Sequence, residues 1–95
     1  MKKYKKIIAI QGDPIQRINP KTDTTLLLAH EAQRRGYKIY YYETKSLTFF
    51  KNTVYASCNL IKFIKRKNFF YSIQKKEVLD LSAARFILMR QNPPF

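Results

Sequence analysis

The sequence predicts an α/β domain built on a mostly parallel sheet, and three observations carry that prediction. A short apolar run, Ile7-Ile8-Ala9-Ile10, is bounded by Lys6 on one side and by Gly12-Asp13-Pro14 on the other. An amphipathic segment with a legible end at Gly36 follows it. A β-branched and aromatic run, Tyr37 to Glu43, then completes strand, helix and strand within residues 4–43.

Residues 4–11 read as a buried strand, because parallel strands covered on both faces lose the alternation of polar and apolar positions. Pro14 and Pro20 make 13–21 a loop. Thr22 or Asp23 offers an N-cap side chain to the free N–H groups of a helix over 23–35. Thr25, Leu28, Ala29 and Ala32 recur at i, i+3, i+4 and i+7, an apolar stripe expected to face the sheet. Arg34 and Arg35 complement the helix dipole in the last turn, and Gly36 suits the position just past the helix. The second strand covers 37–43, and the right-handed crossover rule makes it parallel to the first.

Lys51-Asn52 reads as a hairpin turn between Leu47–Phe50 and Thr53–Tyr55. Residues 59–76 fit either a strand through Phe69 to Ile73 or a helix through Leu60 to Ile64. Phe86-Ile87-Leu88-Met89 reads as a last core strand whose exit is stiffened by Pro93 and Pro94. The chain stops just beyond it, where an α/β unit would continue into a covering helix. The one domain, 1–95, is therefore expected to be incomplete at its C-terminus.

Composition narrows the function classes. The 95 residues are 45% hydrophobic and 15% aromatic, too apolar for a disordered basic tail. A chain of this length buries roughly two-thirds of its unfolded surface, enough for one modest core. One cysteine, Cys58, and one histidine, His30, exclude an internal disulfide framework and argue against a zinc site. The segment Met1-Lys2-Lys3-Tyr4-Lys5-Lys6 has the charge of a signal peptide, but the apolar run after it ends at Ile10. A secretory signal needs about 7–15 apolar residues and a membrane span about 20, so a cytoplasmic chain without a membrane partner is expected.

The formal charge of +13 invites nucleic acid or an anionic surface. Lys62, Lys65, Arg66 and Lys67, followed by Phe69, Phe70 and Tyr71, would then be phosphate contacts beside stacking platforms. Against this, Lys, Ile, Asn, Phe and Tyr supply 42 of the 95 residues, all from codons rich in A and T. The basic residues are also spread along the chain. A basic nucleic-acid- or surface-binding module stays as the alternative reading, and charge alone names no partner.

In open parallel sheets, ligands bind beyond the carboxyl ends of the strands. Two loops leave such ends: Gly12-Asp13-Pro14-Ile15 and Arg90 to Phe95. If the first and last strands are neighbours, Asp13 and Arg90 face one cleft. There Arg90 would fork onto a carboxylate or phosphate, and Asp13 would accept from an amine or orient Arg90. The alternative is an Asp13–Arg90 ion pair that merely ties the loops together. With Gly12 and Gly36 the only glycines, no phosphate-cradling loop is supported. His30 beside Glu31 reads as a surface or packing residue, and Cys58 as a small core filler. No catalytic residue is proposed.

These loops and the helix between them carry a resemblance. Asp13-Pro14-Ile15, Ile18-Asn19, Lys21-Thr22-Asp23-Thr24-Thr25 and Glu31-Ala32-Gln33-Arg34-Arg35-Gly36-Tyr37 resemble the opening of prokaryotic glutathione synthetases. Ile87-Leu88-Met89-Arg90-Gln91-Asn92-Pro93-Pro94-Phe95 is similar to that family's Ile-Leu-Met-Arg-Lys-Asp-Pro-Pro-Phe segment. The match is specific over 13–43 and 86–95 and weak over 44–85. It implies a Rossmann-like domain preceding an ATP-grasp part, in an enzyme that joins γ-glutamylcysteine to glycine with ATP and Mg2+ through an acyl phosphate. By resemblance, Asp13, Pro14 and Ile15 form one wall of the peptide cleft, and Arg90, Asn92, Pro93 and Pro94 the other. Asn92 stands where the family has an acidic residue, which removes a charge from that wall; Gln91 replaces a basic one.

The ATP, magnesium and glycine segments lie downstream in the family, so no cofactor is expected on this chain. The resemblance then implies a truncated N-terminal piece, a gene remnant or half of a split enzyme, incompetent alone. Its expected partners are γ-glutamylcysteine, a chain bearing the ATP-grasp part and, through exposed sheet surface, a second copy. A duller reading is a chain that never folds stably because its sheet lacks a covering helix.

Overall fold

A computed structural model describes residues 6–14, 24–65 and 69–89. Strands β1 (Ile7–Gln11) and β2 (Lys38–Tyr42) are joined through helix α1 (Thr24–Arg34). Four more strands follow: β3 (Leu47–Phe50), β4 (Thr53–Lys65), β5 (Phe69–Asp80) and β6 (Phe86–Met89). All six form one sheet. β1 lies between β2 and β6 and is parallel to both.

The expected β-helix-β unit is present, and so is the adjacency of the first and last strands. Lys38 N–H donates to the Lys6 carbonyl at 2.8 Å, and Arg85 N–H to the Ile7 carbonyl at 2.8 Å, so the two parallel ladders begin at the same level of β1. The sheet is not mostly parallel, however. β4 runs antiparallel to β2, β3 and β5 alike, which makes the sheet mixed. A parallel return needs a crossover of about a dozen residues or more, and the chain never makes one between β2 and β5. Instead a single 3-10 turn at Thr44–Ser46 leads from β2 into β3, and the chain then reverses at Lys51-Asn52.

That reversal is the expected hairpin. Lys51 and Asn52 both have positive φ, 49° and 63°, the backbone that a two-residue turn needs to match strand twist. Residues 59–76 resolve as two antiparallel strands rather than a helix. β4 uses both edges, pairing β5 along one and β2 with β3 end to end along the other. In β5, Gln74 is an extra residue, since Leu60 faces Lys75 while Ile61 faces Ile73. This bulge lets Tyr71 pack on one face of the sheet and Leu79 on the other, although both are odd-numbered.

The two faces hold two cores. On the helix side, Leu26 and Ala29 pack with Ile8, Ile10, Ile39, Tyr41, Ile61 and Phe63. On the far side, Ala9, Tyr40, Tyr42, Ala56, Cys58 and Leu79 close under Leu81, which starts the 3-10 turn Leu81–Ala83. The buried helix stripe is displaced from the expected one. Leu26 is fully buried, whereas Leu28 is 61% exposed. The face that meets the sheet is Leu26, Ala29, His30, Ala32 and Gln33, so the expected Ala29 and Ala32 pack against it, while two polar residues share the face and Leu26 takes the place expected of Leu28.

Those two polar residues have partners. His30 meets the Phe63 ring edge-on, with centroids 5.9 Å apart. Gln33 clamps the Phe63 backbone, its carboxamide donating to the carbonyl at 3.1 Å and accepting from the N–H at 2.7 Å. β4 outruns β2 here, since their pairing stops at Ile61. The Gln33 side chain thus takes the place of a neighbouring strand. At the helix end Gly36, at φ 94°, closes the expected cap: its N–H donates to the Gln33 carbonyl, and Tyr37 N–H to the Ala32 carbonyl. The expected N-cap residues, Thr22 and Asp23, lie outside the described residues.

Candidate functional site

β1, β2 and β6 end side by side. Gln11 is registered against Tyr42 on one flank and against Met89 on the other, so all three carboxyl ends open at one end of the sheet. This is where an α/β sheet places ligands, because the loops leaving the strands diverge there. Gly12 leaves β1 still tied to β2, its N–H donating to the Tyr42 carbonyl at 3.1 Å. Asp13 follows, half-buried, and its carbonyl accepts from the Tyr41 hydroxyl. Pro14 is also half-buried. The β1 loop is thereby anchored from beneath by the second of three consecutive tyrosines.

Of the site residues expected from sequence, Asp13 and Pro14 stand at this end of the sheet. Ile15, Arg90, Asn92, Pro93 and Pro94 lie outside the described residues. Tyr41 was missed, although it holds the Asp13 loop. Its signal was faint, because an aromatic in a strand reads first as core.

Beside these loops, on the face away from α1, lies a cleft of about 740 Å³. Gln11 and Tyr42 form its floor, and Leu47, Val54, Ile87 and Met89 line it. Burial pushes the Tyr42 phenol above its ordinary value, with a smaller contribution from Cys58. At the opposite end of the sheet the Tyr40 hydroxyl donates to Glu77 at 3.2 Å. Burial chiefly, then Glu77, raises the Tyr40 phenol. Lys75, 3.1 Å from Glu77, is the main influence holding that half-buried carboxyl low.

Cys58 is a core filler. It is buried, its thiol donates to the Ala56 carbonyl at 3.4 Å, and burial pushes its pKa up to about 11. A thiol so placed is inert at neutral pH, since the thiolate is the reactive form. Of the basic stretch, Lys62 is exposed on β4, and Tyr71 packs against the helix-side core rather than standing free as a stacking platform. Arg66 and Lys67 lie outside the described residues.

Nothing among the described residues fits a nucleotide or a divalent cation. No three His, Cys, Asp or Glu side chains converge there, and Gly12 is not followed by the further glycines of a phosphate loop. No step is assigned through either group. Among the described residues no helix is long and apolar enough to cross a membrane.

The model of the prokaryotic glutathione synthetase N-terminal domain matches residues 7–95. The chain belongs to this family. Among relatives, the glutathione synthetase of Wigglesworthia glossinidia brevipalpis is 40% identical over 88 residues, covering 93% of this chain and 28% of its own length. That of Buchnera aphidicola subsp. Baizongia pistaciae is 39% identical over 87 residues, 92% of this chain and 27% of the relative. That of Buchnera aphidicola subsp. Acyrthosiphon pisum is 38% identical over 94 residues, 99% and 29% respectively. The chain thus spans less than a third of the length of these glutathione synthetases. Helix α1, β2 and β6 fall where the resemblance is most specific, and the β3–β5 antiparallel part where it is weakest.

Proposed function

We propose that this chain supplies one wall of the peptide site of a cytoplasmic glutathione synthetase, in which the parts for ATP and Mg2+ belong to the portion of the family enzyme beyond the matched segment. The family match over 7–95 carries the reading. In it, Asp13, Pro14 and Ile15 leave β1, and Arg90, Asn92, Pro93 and Pro94 leave β6, as the two lips of the cleft. Arg90 pairs with a carboxylate of γ-glutamylcysteine by a two-pronged hydrogen bond. Asp13 takes the ammonium of the same dipeptide. Asn92, uncharged, offers only neutral hydrogen bonds where the family has an acid, so the dipeptide is held more weakly than in relatives with that acid.

The chain's residues position substrate and exclude water, while ligation requires the ATP-bearing part. The test is complementation in trans. The portion of the Baizongia pistaciae symbiont enzyme that lies beyond the matched segment is produced separately and mixed with this chain, γ-glutamylcysteine, glycine, ATP and Mg2+. Glutathione should form only when both polypeptides are present, and Arg90→Ala should lower the rate at least tenfold. Equal glutathione formation with and without this chain would overturn the proposal.

A further inference from the structure

Gln11 is the one polar residue in the buried set of the described residues, at 7% exposure, and its side chain has no hydrogen-bond partner there. Its registered neighbour Tyr42 is 3% exposed, and its hydroxyl likewise has no partner. Buried polar groups in folded proteins are paired in the great majority of cases, and an unpaired one costs stability, so two side by side call for an explanation. Both stand on the floor of the 740 Å³ cleft at the carboxyl ends of β1, β2 and β6.

The walls give the second half of the case. Leu47, Val54, Ile87 and Met89 present apolar surface beside the neutral polar Asn52, Thr53 and Ser82, and among the described residues no Lys, Arg, Asp or Glu lines the cleft. This neutrality contrasts with a chain in which 26% of residues are charged and the net charge is +13. The volume falls within the usual range for small-molecule sites, about 300–1,000 Å³, which combine apolar walls with a few convergent polar groups. A carboxamide offers two N–H donors and one acceptor, and a phenol can do either. Together they match a planar group with donor and acceptor side by side.

We infer that this cleft binds an uncharged small molecule whose apolar body carries a carboxamide or an equivalent donor–acceptor edge, held by Gln11 and Tyr42. γ-Glutamylcysteine is charged at neutral pH and finds no counter-charge among the described lining residues. The inference rests on Gln11, Tyr42 and the apolar walls alone, and it stands or falls independently of the peptide cleft proposed above.

The probe is benzamide, with benzoate and toluene as charged and apolar controls, titrated into the 15N-labelled 95-residue chain. Benzamide should move the Gln11 side-chain NH2 resonances and bind at least tenfold more tightly than either control. Gln11→Leu should lose that preference, leaving benzamide no better than toluene, without a lower melting temperature, because it removes an unpaired buried amide. Tyr42→Phe, which keeps the ring, should weaken benzamide several-fold and serves as the second variant if Gln11→Leu fails to fold. Equal binding of benzamide and toluene, unmoved Gln11 resonances, or unchanged benzamide affinity in the variants would overturn the inference. So would a dimer in sedimentation whose formation hides Gln11, for then a second copy fills the cleft.

Discussion

Cys58 and the two tyrosines near it tie folding to alkaline pH. The folded state holds the Cys58 thiol neutral, with a pKa pushed up to about 11 from an ordinary 9.0, chiefly by burial. Tyr40 and Tyr42 are raised from 10.0 for the same main reason. Where the folded pKa lies above the unfolded one, the unfolded chain releases its proton first. The stabilisation is whole below the unfolded value and is drained as pH climbs through the folded one. The melting temperature should therefore hold up to about pH 9 and fall between 9 and 11. Cys58→Ala should start lower, since it removes a packed atom, yet decline less steeply over that interval. A Cys58→Ala profile parallel to that of the unsubstituted chain would show that the thiol does not carry this dependence. Individual residues were unevenly legible in sequence. Cys58 and His30 could be read as packing residues because no partner for catalysis was in sight. Gln33, Gln11 and Tyr41 could not, because their importance rests on a backbone edge, a cleft floor and a loop carbonyl that exist only after the sheet has formed.

Helix α1 shows how an element can be read correctly while its orientation is not. Its end at Gly36 was legible because it depends on local chemistry, a left-handed residue just past the last turn. Which row faces the sheet depends on the partner surface, and here that surface accepts Leu26, Ala29, His30, Ala32 and Gln33. Leu26→Ala should thus cost about 2–5 kcal/mol, as expected for emptying a fully buried leucine site. Leu28→Ala should cost less than about 0.5 kcal/mol, as surface changes usually do. Denaturant unfolding of the two variants measures both, and the reverse order would return the apolar stripe to Thr25, Leu28, Ala29 and Ala32. The β4–β5 pair was illegible for a different reason. β4 is hydrogen-bonded on both edges and packed on both faces, so Ala56 to Phe63 shows no clean alternation, and the Gln74 bulge reverses the parity of β5 midway. No periodicity template survives such a shift.

At the scale of the molecule, the parallel half of the sheet was the readable half. β1, α1, β2 and β6 follow from the crossover rule and from two apolar runs, and they set the ends of three strands at one site. The antiparallel half follows from short turns, Thr44–Ser46 and Lys51-Asn52, whose effect on strand direction outweighs the overall α/β pattern. Phe86, Ile87 and Met89 leave apolar side chains exposed on β6, beside those strand ends. The central claim is that these residues fold into a domain that still recognises the dipeptide of glutathione synthesis. Its most direct test is a thermal melt of the purified chain with and without γ-glutamylcysteine. A single cooperative transition, raised as dipeptide is added in excess, is the predicted result, because a ligand bound by the folded state alone shifts the folding equilibrium. A transition that the dipeptide leaves unmoved, or no cooperative transition at all, would contradict it.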